Sequence, residues 1–264
     1  MPNAPTMRER RAAHSVIEVL LLEQSLVPRR SRISRLFGRS PLGPASLVWY
    51  RGAKAEIAVG RILAELPAGW IIFHALPAGN EGTDIDHLVV GPAGVFTIHT
   101  TRHRHKKVRV AGRTVIVDGE RLPYIRKAEV ESARVTALLQ KRMLLRAAVS
   151  PVVAIVDARQ ITVYQPPARV KVIDADELRP WLLTRPHIFT LPERVAASDI
   201  IDSPETWDAV LGVEPSSLTE QFTQLERSVH SARIRRFVWV PGISAAVILF
   251  AAVIHRIVPA LMGF

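Results

Sequence analysis

The sequence predicts an α/β (α+β) domain, a mixed sheet flanked by helices, followed by an apolar C-terminal helix. Three observations carry this expectation. Between Trp49 and Leu183, short β-rich runs interleave with stretches of helical periodicity. Two of those runs, Ile85 to Val90 and Val95 to Thr101, are joined by a Gly-Pro-Ala-Gly turn, with Asp84 and Asp86 at the mouth of the first. Near the end, Phe237 to Ile254 runs eighteen residues without a charge. An order of helix, strands, helix, strand is that of a sheet covered by helices.

Taken in order, residues 1–47 read as a basic N-terminal arm, with eight Arg against three Glu. Ser15 to Val27 can form an amphipathic helix within it, and Arg29 to Arg39 interleaves cations with apolar side chains, a pattern suited to a solvated arm, a membrane surface or a phosphate backbone. The globular domain is expected over residues 48–207. Ala55, Val59, Ile62, Leu63 and Leu66 recur at helical spacing before Pro67, which predicts a helix over Gly52 to Leu66. Trp70 to Leu76 is a strand, followed by the pair around the Gly-Pro-Ala-Gly turn. Lys107 to Val110 and Thr114 to Val117 read as a hairpin. A long helix is expected over Tyr124 to Arg146, strands over Val152 to Val156, Ile161 to Tyr164 and Val170 to Ile173, and a short helix over Asp174 to Leu183.

Residues 208–236 form a linker helix, opened by the capping pattern Ser217-x-x-Glu220. Leu218, Phe222, Leu225, Val229 and Ala232 follow at spacings of four and three, so weak homodimerisation through this helix is an expectation. Residues 237–264 are expected to anchor the chain in a membrane, since roughly 20 apolar residues span a bilayer core. Arg233, Arg235 and Arg236 lie upstream, against Arg256 downstream. This bias predicts a single-pass protein of the cell membrane with its N-terminal domain in the cytoplasm.

The chain of 264 residues carries a net charge of +11, mostly from arginine, with only six lysines. Such a balance favours anionic partners, nucleic acid or an acidic lipid surface. No cysteine is present, which excludes disulfides, thiol catalysis and Cys-bound zinc. No Gly-x-x-x-x-Gly-Lys, His-Glu-x-x-His or Gly-x-Ser-x-Gly pattern occurs, so nucleotide hydrolases, zincins and α/β-hydrolases find no support.

The candidate chemistry is acidic. Glu56 lies on the first domain helix, Asp84 and Asp86 begin one strand, and His99 and Thr101 lie on the next. Carboxylates at strand ends suit a divalent cation held over a phosphodiester. His99 with Asp86, and with His87 or His103, would suit Zn²⁺ or Mn²⁺ better than Mg²⁺. The following loop carries Arg102, Arg104, Lys106, Lys107 and Arg109 with no acid among them, a pattern that suits phosphate neutralisation.

These residues resemble the nuclease-related domain (NERD) family, in a form familiar from actinobacterial proteins. The resemblance rests on Gly52-Ala53-Lys54-Ala55-Glu56, Gly69-Trp70 with His74, Asp84-Ile85-Asp86-His87 through Phe96-Thr97-Ile98, Val117-Asp118-Gly119-Glu120, Tyr124-Ile125-Arg126 and the Glu131-Ser132-Ala133 region, and covers residues 49–207. It implies a PD-(D/E)xK-type fold, a link to DNA, Mg²⁺ or Mn²⁺ as cofactor if active, and Glu56, Asp84 and Asp86 as metal-site residues. It also implies a Glu-x-Lys pair on the second strand, where this chain has His99 and Thr101. The expectation is therefore a membrane-anchored nucleic-acid-binding protein with a degenerate nuclease site. An active divalent-metal DNA nuclease, with Lys106 or Lys107 reaching in, and a non-enzymatic membrane scaffold are the alternatives.

Overall fold

Along the chain of this computed structural model run α1 (His14–Ser25), α2 (Arg32–Leu36), α3 (Pro44–Ala64), β1 (Ile71–Leu76), β2 (Ile85–Gly91), β3 (Gly94–Arg102), β4 (Lys107–Ala111), β5 (Thr114–Val117), β6 (Glu120–Leu122), α4 (Tyr124–Gln140), β7 (Ser150–Val156), β8 (Gln160–Gln165), β9 (Lys171–Asp174), α5 (Ala175–Leu183) and α6 (Leu191–Asp202). A last helix, α7, covers residues 217–239. The structure describes residues 6–77, 84–207 and 217–239. Two compact units divide the chain, one of residues 1–20 and 48–218, the other of residues 21–47 and 219–264.

The larger unit is built on a five-stranded mixed sheet of order β1-β2-β3-β7-β9. β1, β2 and β3 are antiparallel neighbours, whereas β3, β7 and β9 run parallel. A parallel β3–β7 pair needs a long crossover. The chain between them supplies β4, β5, β6 and α4. β2 is buried at every position, as a central strand covered on both faces must be. On one face, Ala55, Val59 and Leu63 of α3 and Leu178 and Leu182 of α5 pack against Val89, Phe96, Ile98, Val152 and Ala154. On the other, Val135 and Leu139 of α4 and Ala197 and Ile201 of α6 cover Leu88, Val90 and Val95. Each large side chain buried this way contributes about 1.5–3 kcal/mol.

The expected hairpin at 107–117 is present, but it belongs to a second sheet of order β6-β5-β4-β8, in which β8 runs parallel to β4. Val108, Val110, Val115 and Val117 of this sheet close over Ile125 and Ala128 of α4. Apolar side chains of α4 thus reach both sheets, which holds its first turns in place.

Three boundaries differ from expectation. α3 starts at Pro44, eight residues before Gly52; proline is well suited to a first helical turn because its missing amide is not needed there. α4 ends at Gln140 rather than Arg146. The intervening Met143 and Leu145 pack on the core from the loop into β7, which a continued helix would not allow. Residues 1–47 are not set apart as one arm. Met7 is fully buried among Phe73, Leu76, Ile85 and Leu88, and residues 1–20 group with the domain.

In the smaller unit, α2 is capped by Ser31, whose hydroxyl accepts the Ser34 amide at 3.1 Å. Trp239 Nε1 of α7 donates to the Leu36 carbonyl at 2.9 Å, and its ring lies 5.1 Å from that of Phe37. Arg235 donates to the Arg35 carbonyl at 3.1 Å. Among the described residues no helix is long and apolar enough to cross a membrane. The segment expected to do so lies, from residue 240 on, outside the described residues.

Candidate active site

Sheet register brings the acidic residues together. His87 pairs with Ile98, so the antiparallel ladder continued by one residue sets Asp86 against His99. His99 Nδ1 stands 3.2 Å from Asp86 Oδ2, and the Thr100 amide donates to the same oxygen at 2.6 Å. Phe96 and Ile98 point to the α3 side of the sheet, so strand alternation turns Thr97, His99 and Thr101 towards α4. There the helix presents Glu131, 4 % exposed, with neither carboxylate oxygen accepting a hydrogen bond. Lys127, one turn earlier, places Nζ 3.8 Å from Glu131 Oε1.

Glu56 enters from α3 and is likewise buried. Its carboxylate accepts the amide of Ala13, a residue held at a positive φ of 65°. Burial, with Asp86 and Asp84 nearby, pushes Glu56 well above the usual carboxylate range. Burial also works to raise Asp86, but His99, Lys127 and the Thr100 amide outweigh it and hold Asp86 below its ordinary value. The two neighbouring carboxyls are thus shifted in opposite directions, Glu56 towards its protonated form and Asp86 towards its ionised form. Glu131 is raised to about 7, chiefly by burial, with Asp86 adding to the rise and His99 and Lys127 opposing it.

Asp84 is turned to the N-terminal segment. It accepts the Ser15 hydroxyl, and Arg10 Nη2 lies 3.5 Å away while also donating to Ser15 Oγ at 2.7 Å. Its contacts are those of an anchor for residues 10–15. Burial raises Asp84, against the pull of Ser15 and Arg10.

Thr101 is bonded elsewhere: its Oγ1 lies 3.1 Å from His103 Nε2, which also meets the Tyr124 hydroxyl at 3.0 Å. In the basic loop, Arg102 pairs with Asp157, and Lys106 Nζ with Asp118 Oδ2 at 2.9 Å. The loop is less free than its sequence implies, and Lys106 is engaged away from the carboxylates. Arg104, Lys107 and Arg109 are exposed. His87 faces α3, where its Nδ1 meets His74 Nδ1 at 2.8 Å, so it stands apart from the Asp86–His99 pair.

Asp86 and His99 thus stand in contact, with Glu56 within electrostatic reach of Asp86. Reading the motif alone misses Lys127, Glu131, Tyr124 and Arg10. Glu131 had a signal: it is an acid in the stripe Ala128, Glu131/Ser132, Val135, Leu139, whose other members are buried at helical spacing. Arg10 had none. All the carboxylates offer oxygen, the donor that hard divalent cations prefer. Among the described residues no three His, Asp or Glu side chains already stand as an assembled cation cage.

No curated protein and no solved structure matches the chain. Residues 51–156, from α3 to the end of β7 and with Glu56, Asp86, His99, Lys127 and Glu131 among them, are matched by the family model of the nuclease-related domain.

Proposed function

We propose that this domain acts on nucleic acid as a divalent-cation-dependent nuclease, with DNA as substrate and Mg²⁺ or Mn²⁺ as cofactor. The observation that carries the reading is that buried Asp86 of β2 is within electrostatic reach of two further buried carboxyls, Glu56 of α3 and Glu131 of α4, within a nuclease-related match. The fit to a cation is one of charge and donor type. Burying several carboxylates together is unfavourable unless they are protonated or joined by positive charge, and Glu131 has two buried oxygens without a hydrogen bond.

Asp86 and Glu56 would hold the cation, with Asp84 at its margin. When bound, the ion polarises the phosphate and lowers the pKa of a water. The Thr100 amide holds Oδ2 of Asp86, with His99 Nδ1 3.2 Å from the same oxygen, so that Oδ1 is free of both. Arg104, Lys107 and Arg109 would neutralise flanking phosphates, which makes binding salt-dependent and insensitive to sequence. A PD-(D/E)xK-type ancestry is consistent with this arrangement. The apolar run of residues 237–264 behind its arginine collar supports a tether to the cytoplasmic face of the cell membrane.

A second reading, nucleic-acid binding with cleavage weakened or lost, is favoured by one specific observation. β3 carries His99 and Thr101 where the resemblance implies Glu-x-Lys, and Thr101 is spent on His103. Incubation of the full-length chain with single- and double-stranded DNA in EDTA, Mg²⁺ or Mn²⁺, beside Asp86→Ala, separates the two. Cutting that needs the metal and disappears in the variant supports the nuclease; DNA bound and released by salt without cutting supports the binding module.

A further inference from the structure

We propose, resting on the reading above, that α4 supplies the cation β3 lacks: Lys127 is the site's phosphate-facing lysine, and Glu131 is the residue that positions it. Neither Thr101 of β3 nor Lys106 of the basic loop offers a replacement. Thr101 carries no charge and bonds His103, and Lys106 is paired with Asp118. Lys127 is the cation whose field reaches all four acids of the site, Glu56, Asp84, Asp86 and Glu131. Its side chain remains 36 % exposed, against 5 % for that of Glu131. A lysine with that exposure can lay its stem along the helix and still present its ammonium to a phosphate.

Helix stability does not account for the pair. Within a helix the favourable order is acid first and lysine four residues later, and here the order is reversed. Nor does burial account for Glu131, because a buried carboxylate lacking hydrogen bonds is destabilising. A carboxylate 3.8 Å from the ammonium and within electrostatic reach of Asp86 and His99 is suited to holding Lys127 beside the acidic residues. Fixing a flexible four-carbon stem in one place is what a phosphate contact needs.

With six lysines in the chain, acetylation can be read residue by residue. The full-length protein is treated with an amine-acetylating reagent, alone and with a single-stranded oligonucleotide in Ca²⁺, and each lysine is quantified by mass spectrometry. Lys127 is expected to react in the free protein and to be protected at least fivefold by the oligonucleotide, while Lys171, on β9, is not. In Glu131→Gln, at oligonucleotide concentrations that saturate the variant, protection of Lys127 is expected to fall below twofold, a change that a purely structural role would not produce. DNA bound with Lys127 unprotected overturns the inference and leaves the nuclease reading standing. Protection of Lys127 without any Mn²⁺-dependent cleavage overturns the cleavage reading and leaves the inference standing. Absence of DNA binding overturns both. Where cleavage is present, Lys127→Ala is expected to lower it at least 100-fold and Lys127→Arg to restore part of it; full activity in Lys127→Ala overturns the assignment.

Discussion

Asp86 Oδ2 lies 3.2 Å from His99 Nδ1, across two antiparallel strands whose side chains are both almost fully buried. The contact explains why Asp86 stays ionised in a place where burial would otherwise neutralise it. It also gives His99 a role that its departure from an acidic residue does not suggest: it orients a carboxylate rather than ligating a hard ion, which imidazole does poorly.

Asp86→Asn should therefore separate charge from shape. The amide keeps the size of the side chain and removes the negative charge that raises Glu56 and Glu131. Thermal stability without metal is expected to change by less than about 1 kcal/mol or to rise, since a like-charge neighbour is lost. Any Mn²⁺-induced rise in Tm is expected to vanish, because a ligand stabilises only the state that binds it. A thermal shift assay at pH 7.5, with and without Mn²⁺, checks both; a Tm gain of undiminished size in the variant places the cation elsewhere.

Glu131 makes stability depend on pH with a definite sign. Its folded pKa is raised to about 7 from the ordinary 4.5, so between these values the folded state holds a proton that the unfolded state has released. The resulting destabilisation is absent below pH 4.5, grows as pH rises, and is complete above pH 7. Glu131→Gln should remove it, gaining on the order of 2–3 kcal/mol at pH 8 and almost nothing at pH 4.5. Denaturant melts of both proteins across that range give the difference directly. A variant that is less stable at pH 8 would show that Glu131 earns more from its cationic neighbours than it loses by burial.

The buried histidine pair acts in the opposite direction. His74 is lowered to about 4 and His87 to about 3, both chiefly by burial, and their Nδ1 atoms meet at 2.8 Å. Below pH 6.5 the unfolded chain takes up protons that the folded pair refuses, so the stability this pair confers is present at neutral pH and lost progressively as pH falls towards 4. The loss by pH 4 is at most on the order of 7 kcal/mol, since each pH unit per group is about 1.4 kcal/mol and both groups are held neutral over about 2.5 units. His87→Leu breaks that pairing and lowers stability at pH 7. The measurable signature is that its deficit relative to the parent shrinks towards pH 4.5; a deficit independent of pH would contradict the shifts.

How much of this was legible follows from distance along the chain. β2, its turn and β3 are contiguous, so alternation alone sets Asp86 and His99 on one face, and the motif carries that information. The α3 register is also local, since Ala55, Val59 and Leu63 define its buried face and put Glu56 beside it. Lys127 and Glu131 reach the same place only through a crossover that includes a second sheet, which no local pattern announces. Arg10 meets Asp84 from 74 residues away. The engagement of the basic loop is non-local for the same reason: Asp157, which pairs with Arg102, is 55 residues further on.

Gly60 offers a test of how the N-terminal segment seats against the site. It lies in the middle of α3, and a Cβ there would stand 2.7 Å from the Ala12 Cβ, with the His74 and His87 rings at 3.6 and 3.7 Å. A helix-interior glycine is normally unfavourable by about 1 kcal/mol relative to alanine. Here the substitution gains that propensity but drives residues 12 and 13 off α3, and Ala13 is the residue whose amide reaches Glu56. Gly60→Ala is therefore expected to destabilise by about 1–3 kcal/mol, the usual range for an extra methyl in a packed place. Ala12→Gly in the same chain removes the opposing carbon. If the contact is the cause, the double variant recovers most of the loss and the two changes are strongly non-additive, as neighbours in contact are. Equilibrium unfolding of the four proteins of this cycle decides it. Additive effects would mean that the glycine serves the histidine rings and not the seat of residues 10–15.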